Sequence, residues 1–208
     1  MLTSENNFKN PTAGCDIWGE KRMDLAVYLR DNILNELSND WFIENGTLLG
    51  AWRNGRFIAH DDDFDIGILI NSDLEAVNIY RKIESLLMAS KYKCRLVNSY
   101  ACKIEVFDEK YGKYILAADK YKSSDFHYVT LDIQFYLKLN EKEDNYESLY
   151  FLHPTKRVID KRKLVPTTEI RLENERFNAP NNVKEFLKQI YGSLDQTAKF
   201  NPETGFYE

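Results

Sequence analysis

Four aspartates stand within five positions, at Asp61, Asp62, Asp63 and Asp65, and an apolar run that is typical of a buried strand follows them directly. Side chains two positions apart lie on the same face of a β-strand. We therefore expect Asp63 and Asp65 to share one face of a strand over 64–70, with Asp61 extending the row. Carboxylates packed this closely repel one another unless a cation neutralises them, and divalent ions take oxygen ligands. An acidic loop that caps an ordinary strand is the alternative, but the spacing favours a metal site.

Length and composition limit the functional classes. The chain has 208 residues, enough for one substantial domain. Its net charge is -5, and it shows no basic stripe of the kind that nucleic-acid-binding proteins use. The three cysteines lack zinc spacing, and neither a secretory signal nor a run of about 20 apolar residues is visible. We expect a cytoplasmic protein with no nucleic-acid partner and no integral membrane segment.

Hydrophobic periodicity predicts a mixed α+β fold with one central mixed sheet flanked by helices. We expect an N-terminal arm over 1–19 and a single domain over 20–208, with a core at about 40–140 and a C-terminal elaboration over 141–208. The predicted helices cover 20–37, 46–54, 74–89 and 182–191, and the predicted strands cover 41–44, 64–70, 93–98, 102–107, 113–118, 126–139, 150–152 and 157–159.

A lone aspartate, Asp132, interrupts the long apolar run over 126–139. Its neighbours Leu131 and Ile133 are expected to face the core, which turns the carboxylate to the other face of the strand. Burial of an unpaired carboxylate is unfavourable. Asp132 therefore needs either an Arg or Lys partner or a metal ion, and the acidic pair upstream favours the metal.

A glycine and a hydroxyl residue, Gly46 and Thr47, open the helix predicted over 46–54. Backbone N–H groups at a helix start, with the helix dipole behind them, can bind a phosphate. Simple capping of the helix by Thr47 is an equally good interpretation. Together with the acids, however, this helix start is typical of the nucleotidyltransferase fold, in which carboxylates hold Mg²⁺ or Mn²⁺ beside a phosphate group.

The segment GTLLGAWRNGRFIAHDDDFDIGI resembles the core motif of the LicD family, which includes fukutin and fukutin-related protein. The segment LDIQFY, with Asp132, resembles the later strand motif that carries the family's third acidic residue. RFNAPNNVKEFLKQIYGS resembles the closing motif, here Pro180, Tyr191 and Gly192. The chain departs from the family at Ala59-His60, where Pro-Trp is usual, which puts the shape of the acceptor or base pocket in question.

The resemblance implies a metal-dependent phosphotransferase. Such an enzyme moves phosphocholine or a polyol phosphate from a nucleotide-linked donor of the CDP type to a hydroxyl of a glycan or glycolipid. The implied catalytic and metal-binding residues are Asp63, Asp65 and Asp132, with Asp61 as a further metal ligand. The alternatives are transfer of a nucleoside monophosphate from a triphosphate to a small molecule, a metal-dependent glycosyltransferase, and a degenerate member that binds without turnover.

Four further residues are candidates for substrate binding. Arg53 and Arg56 can each bind a phosphate through a planar guanidinium, or form a salt bridge with the acids. His60 adjoins the acidic run, and Lys103 lies on a predicted strand from which it can reach a phosphate. Both are possible substrate contacts, although most single histidines and most strand lysines have no such role.

Overall fold

The protein has the mixed α+β architecture that its sequence predicts. The structure, a computed structural model, describes residues 15–59, 61–97, 102–115, 125–139, 144–150, 158–201 and 203–208. The strands are β1 (Trp41–Ile43), β2 (Asp65–Ile70), β3 (Lys93–Val97), β4 (Lys103–Phe107), β5 (Lys113–Ile115), β6 (Asp125–His127), β7 (Thr130–Lys138), β8 (Asn145–Ser148), β9 (Val158–Asp160), β10 (Thr168–Leu172), β11 (Glu175–Ala179), β12 (Phe200–Asn201) and β13 (Phe206–Tyr207). The α-helices are α1 (Cys15–Asn32), α2 (Asn45–Asn54), α3 (Asp73–Leu87), α4 (Lys161–Leu164) and α5 (Val183–Tyr191).

The central sheet is mixed, and its strands follow the order β1-β2-β7-β4-β3. Strand β8 pairs with the later part of β7, and β9 pairs with β8. Strands β2 and β7 run parallel, whereas the other pairs of this sheet are antiparallel. The parallel pair is the feature that matters for function, because it places the starts of two strands side by side.

The two faces of the sheet differ because side chains alternate along each strand. Ile66 and Ile68 of β2 lie on the same face as Ile133 and Phe135 of β7, and all four are fully buried. We call this the apolar face. The opposite face carries Asp65 and the side chains of β7 that alternate with the apolar ones, and we call it the polar face.

Helices on both sides complete the core. Helix α1 contacts β7, and α3 contacts β2 and β3. On the polar face, away from the acids, Phe186 of α5 meets Phe42 edge to face at 5.7 Å between ring centroids. Gly67 of β2 lies on this face, where a Cβ would come within 2.7 Å of the Phe42 ring and 2.8 Å of the Tyr136 ring. The aromatic packing therefore requires glycine at this position.

Local signals set the helix boundaries. Ser72 caps α3 by accepting a hydrogen bond from the Glu75 N–H at 3.3 Å. Asn182 caps α5 in the same way from Glu185 at 3.2 Å. Helix α5 ends at Tyr191, as the helix predicted over 182–191 does, and Gly192 follows it with a φ of 78°, in the region that favours glycine.

Several sequence-based boundaries are wrong. Residues 15–19 belong to α1 and not to an arm, and residues 1–14 lie outside the described residues. The N-terminal helix ends at Asn32, and a short 3₁₀ helix over Leu34–Glu36 follows it. The run over 126–139 is interrupted at residues 128–129, because β6 pairs with β5 and not with the central sheet. Residues 116–118 of the strand predicted over 113–118, and residues 151–152 of the strand predicted over 150–152, lie outside the described residues.

Candidate active site

Three carboxylates converge at the amino-terminal ends of the two parallel strands. Asp65 opens β2 and lies directly opposite Asp132 of β7 in the sheet register. Asp63 precedes β2, and one carboxylate oxygen from each of these three residues lies within 4.8 Å of the other two. Asp65 and Asp132 are buried, whereas Asp63 is partly exposed. The three acids are thus close enough to share one ion, which can reach them from the side of Asp63.

A second group of acids shares Asp63 with the first. One oxygen each of Asp61, Asp62 and Asp63 also lie within 4.8 Å of one another. Asp61 and Asp62 are buried, and both precede β2. The acids therefore form one continuous cluster from Asp61 to Asp132.

The ionised forms of the buried acids in this cluster are electrostatically unfavourable. Burial, and then the negative charges of Asp63 and Asp61, raise the pKa of Asp65 well above its usual range. Burial also raises the pKa of Asp132, although the ammonium group of Lys103 acts in the opposite direction. A nearby positive charge favours the ionised form of a carboxyl group. Hard divalent cations prefer oxygen ligands, so the donor set suits an ion such as Mg²⁺ or Mn²⁺.

The first turn of α2 packs closely against the acids. The backbone N–H of Asp65 donates to the Thr47 hydroxyl at 3.0 Å, and Thr47 is fully buried. A Cβ on Gly46 would lie 2.6 Å from both carboxylate oxygens of Asp61, so the glycine makes room for that carboxylate. Thr47 thus fixes the start of β2. A direct contact of Gly46 or Thr47 with a phosphate stays a prediction.

Two amides support the acid at the start of β2. The Gln134 amide donates to Asp65 Oδ1 at 3.0 Å, and the Asn45 amide donates to Gln134 Oε1 at 3.3 Å. Gln134 is buried on β7, two positions after Asp132 and on the same face. Gln134 is not among the residues predicted for the site, although the alternation that places Asp132 on the polar face also places Gln134 beside it.

A fourth carboxylate, that of Glu44, is buried beside the cluster. Glu44 precedes α2, its N–H donates to the carbonyl oxygen of Asp65 at 3.1 Å, and its Oε2 accepts a hydrogen bond from the Tyr136 hydroxyl. Glu44 and Tyr136 are both fully buried. Burial, with a contribution from the charge of Asp132, raises the pKa of Glu44 to about 8 although the Tyr136 hydrogen bond lowers it. No sequence signal distinguishes Glu44 from an ordinary acid at the end of a strand.

Lys103 is a direct partner of the third acid. Its Nζ donates to Asp132 Oδ2, and both side chains are buried. The sequence left open whether Asp132 meets a basic residue or a metal ion, and the structure gives it a lysine on one side and two acids on the other. A contact between Lys103 and a substrate phosphate stays a prediction.

Arg53 and Arg56 lie at the other end of α2. Ten residues of α-helix span roughly 15 Å, so the last turn is well separated from the acids at the first turn. One Nη of Arg53 donates to the carbonyl oxygen of Leu194 at 3.2 Å, and Arg56 lines a surface cavity of about 280 Å³ with Arg171. The structure does not bring these arginines to the carboxylates, and their binding of phosphate stays a prediction. His60 lies outside the described residues.

Tyr191 at the end of α5 borders the acids. Burial, and then the negative charges of Asp61 and Asp65, raise the pKa of its phenol well above the usual range. Its ring also lies 6.2 Å from that of Tyr207 between centroids. The closing motif noted in the sequence thus returns to the same end of the sheet as the acidic run.

A comparison with protein families identifies the chain. The profile described as LicD/FKTN/FKRP, nucleotidyltransferase domain, matches residues 38–182, which is more than half of the chain. The chain belongs to the LicD family. The matched part of this LicD-family chain includes β1, α2, β2 and β7, and therefore all of the clustered aspartates, whereas α1 and α5 lie outside it.

Two curated relatives are similar to part of this LicD-family chain. An uncharacterized protein of Rickettsia prowazekii (strain Madrid E) is 34% identical over 79 residues, which are 37% of this chain and 30% of that protein. An uncharacterized protein of Rickettsia typhi (strain ATCC VR-144 / Wilmington) is 30% identical over 114 residues, which are 52% of this chain and 37% of that protein. The matches thus span about a third of the length of each relative.

The described part of the chain contains no helix that is both long enough and apolar enough to cross a membrane.

Proposed function

We propose that this LicD-family chain is a metal-dependent phosphotransferase. It transfers a phospho-substituent, such as phosphocholine or a polyol phosphate, from a CDP-type donor to a hydroxyl group of a glycan or glycolipid. The convergence of Asp63, Asp65 and Asp132 at one end of the parallel strands carries this proposal. Membership of the LicD family supports the transferase class.

The acids suit a divalent cation as the cofactor. Asp63, Asp65 and Asp132 would hold Mg²⁺ or Mn²⁺, with Asp61 available as a further ligand, because their oxygens are close together and burial disfavours the ionised forms of Asp65 and Asp132. When bound, such an ion neutralises charge on the phosphate oxygens of the donor.

The surrounding residues of the chain hold the acids in position and tune their charge. Thr47 fixes the backbone of Asp65, and Gln134 orients its carboxylate through a hydrogen bond at 3.0 Å. Lys103 favours the ionised form of Asp132, while burial raises its pKa. A positioned carboxylate can accept the proton of an attacking hydroxyl. Asp132, the third acid of the cluster, is our candidate for that role.

The proposed reaction exchanges one phosphorus–oxygen bond for another. The hydroxyl oxygen of the acceptor forms a bond to the phosphorus that carries the substituent. The anhydride bond between the two phosphates of the donor breaks, and the nucleoside monophosphate leaves with the electron pair. The hydroxyl proton passes to the carboxylate, so the atoms and charges balance.

The test measures release of cytidine monophosphate from CDP-choline and CDP-ribitol in the presence of Mn²⁺. We expect turnover by the wild type and loss of turnover in Asp65→Asn, which has nearly the same shape but lacks the charge. Asp40→Asn makes the same chemical change at an exposed site and should leave turnover unchanged.

Equal turnover by the wild type and Asp65→Asn would overturn the proposal. Pyrophosphate release from CTP would instead favour a nucleotidyltransferase, and release of a nucleoside diphosphate from a sugar nucleotide would favour a glycosyltransferase. Binding of Mn²⁺ with no product from any of these donors would favour a member of the family that binds without turnover.

A further inference from the structure

A buried arginine in α1 connects the two loops that lead into the acid-bearing strands. One Nη of Arg22 donates to the carbonyl oxygen of Asp61 at 3.0 Å. Its Nε and other Nη donate to the carbonyl oxygen of Tyr128 at 3.0 and 2.9 Å. The side chain is fully buried. One guanidinium group therefore holds two backbone segments that are far apart in the sequence.

These two segments determine where the acids lie. Asp61 belongs to the loop that leads into β2, with Asp63 and Asp65, and Tyr128 belongs to the turn that leads into β7, with Asp132. The strands are parallel neighbours, so the two segments enter the sheet at the same end. Asp63 precedes the residues that pair β2 with β7, which begin at Asp65. The bridge made by Arg22 therefore fixes the loop that carries Asp63 relative to Asp132.

A second contact of α1 reaches the same turn. The ring of Trp18 stacks on that of Tyr128 at 5.3 Å between centroids, and it also lies 5.7 Å from the ring of Tyr111. Trp18 and Arg22 are four positions apart, so they lie on the same side of the helix. The helix thus holds this turn through both its backbone carbonyl and its aromatic side chain.

The chemistry of arginine suits this task better than that of lysine. A guanidinium group is always charged and presents its donors in a rigid plane, so it can bond two carbonyl groups in different directions. Its positive charge also lies at the base of the acidic loop, where it reduces repulsion among the carboxylates. A lysine ammonium places the same charge on one flexible point and cannot reproduce the planar bridge.

We propose that Arg22 is a positioning residue for the metal centre, so that α1, which lies outside the matched family region, is part of the functional unit. This inference rests on the proposed function, because it assumes that the acids hold a divalent cation. Residues that orient metal ligands typically change metal affinity by about 10-fold to 100-fold when they are replaced. The effect should therefore appear in metal binding by the whole chain, before any donor is added.

The experiment measures the Kd for Mn²⁺ by electron paramagnetic resonance in the wild type, Asp65→Asn, Arg22→Lys, Arg22→Ala and Leu25→Ala. Leu25 is fully buried one turn later in the same helix, so its truncation controls for general loosening of α1. We expect the Kd to rise about tenfold or more in both Arg22 variants and to stay within about twofold of the wild type in Leu25→Ala. Millimolar methylguanidinium should restore much of the affinity of Arg22→Ala.

The outcomes separate this inference from the proposed function. If wild-type protein binds Mn²⁺ no better than Asp65→Asn, the metal centre is wrong and the role of Arg22 falls with it. If the wild type binds Mn²⁺ and Arg22→Lys binds it equally well, only the role of Arg22 is overturned. A loss of affinity in Leu25→Ala as large as that in Arg22→Lys would also overturn it. Arg22→Lys keeps the buried charge, and it decides the question if Arg22→Ala does not fold.

Discussion

The apolar and polar faces of strands β2 and β7 share one backbone but obey different energetics. On the apolar face, Ile66, Ile133 and Phe135 are fully buried, and each gains free energy from leaving water. On the polar face, Asp65 and Asp132 are almost as deeply buried, and burial disfavours their charged forms. The apolar face therefore stabilises the fold, whereas holding the acids close together on the polar face is unfavourable. Buried acids with shifted pKa values are typical of functional sites.

The polar face carries different types of side chain at the start of the strands and farther along them. At the strand starts it holds acids and amides, and two positions later Gly67 gives space to the rings of Phe42 and Tyr136. The acid cluster thus sits at the edge of a packed aromatic region. This packing fixes the strands on which the acids stand.

The largest expected effect is on the apolar face. Phe135→Ala should lower the free energy of unfolding by about 3–5 kcal/mol, because it removes a fully buried ring and leaves a cavity. Urea unfolding measures this loss. The Kd for Mn²⁺ of the protein that remains folded should not change. A large change in that Kd would show that the two faces are not separable.

Asp65→Asn should lower the affinity for Mn²⁺ and raise the stability of the metal-free protein. We expect the affinity for Mn²⁺ to fall by about a hundredfold, or ~2.7 kcal/mol, while the metal-free protein becomes more stable because repulsion with Asp63 and Asp61 is relieved. Calorimetric titration and thermal unfolding in EDTA measure the two effects. Lower stability of the metal-free variant would mean that the acids do not strain the fold.

Glu44 should make stability depend on pH. Because its pKa is raised to about 8 in the folded protein, the folded state keeps a proton that the unfolded state loses above its own, lower pKa. Stability from this group is fully present below the unfolded pKa and is lost progressively as the pH rises from there to about 8. Glu44→Gln should therefore gain stability relative to the wild type by about 1.4 kcal/mol per pH unit between about pH 5.5 and 7.

Urea unfolding of both proteins in EDTA across this pH range checks the prediction for Glu44. The other titrating groups are common to both proteins, so the difference between the two curves isolates this residue to a first approximation. Parallel curves would mean that Glu44 is ionised in the folded protein.

The smallest expected effect concerns the amide farthest from the acids. Asn45→Gly should lower the free energy of unfolding by about 1 kcal/mol or less, because it removes one neutral hydrogen bond to Gln134. Glycine is the suitable replacement because φ at this position is 47°. Affinity for Mn²⁺ should fall by less than about threefold. A loss of Mn²⁺ affinity as large as that of Asp65→Asn would show that Asn45 belongs to the metal site.

The clustered acids could be predicted from the sequence because strand alternation depends only on neighbouring residues. Asp63, Asp65 and Asp132 were placed by their spacing within strands, and their side chains do converge. The hairpin of β10 and β11 was missed, because its two-residue turn contains Glu173 at a φ of 52° and lacks the glycine that usually marks such turns. Sequence patterns therefore predict an element only where the chain carries the residues that usually mark it.

Strand alternation depends only on neighbouring residues, so the amino-acid pattern alone predicts which side chains of β2 and β7 face the core and which end of each strand carries acids. Long-range packing sets the parallel pairing of those strands, the burial of Glu44 against Tyr136, the pairing of Lys103 with Asp132 and the reach of Arg22 from α1. These contacts join residues that are distant in the chain, and their energies depend on burial, which no local pattern encodes.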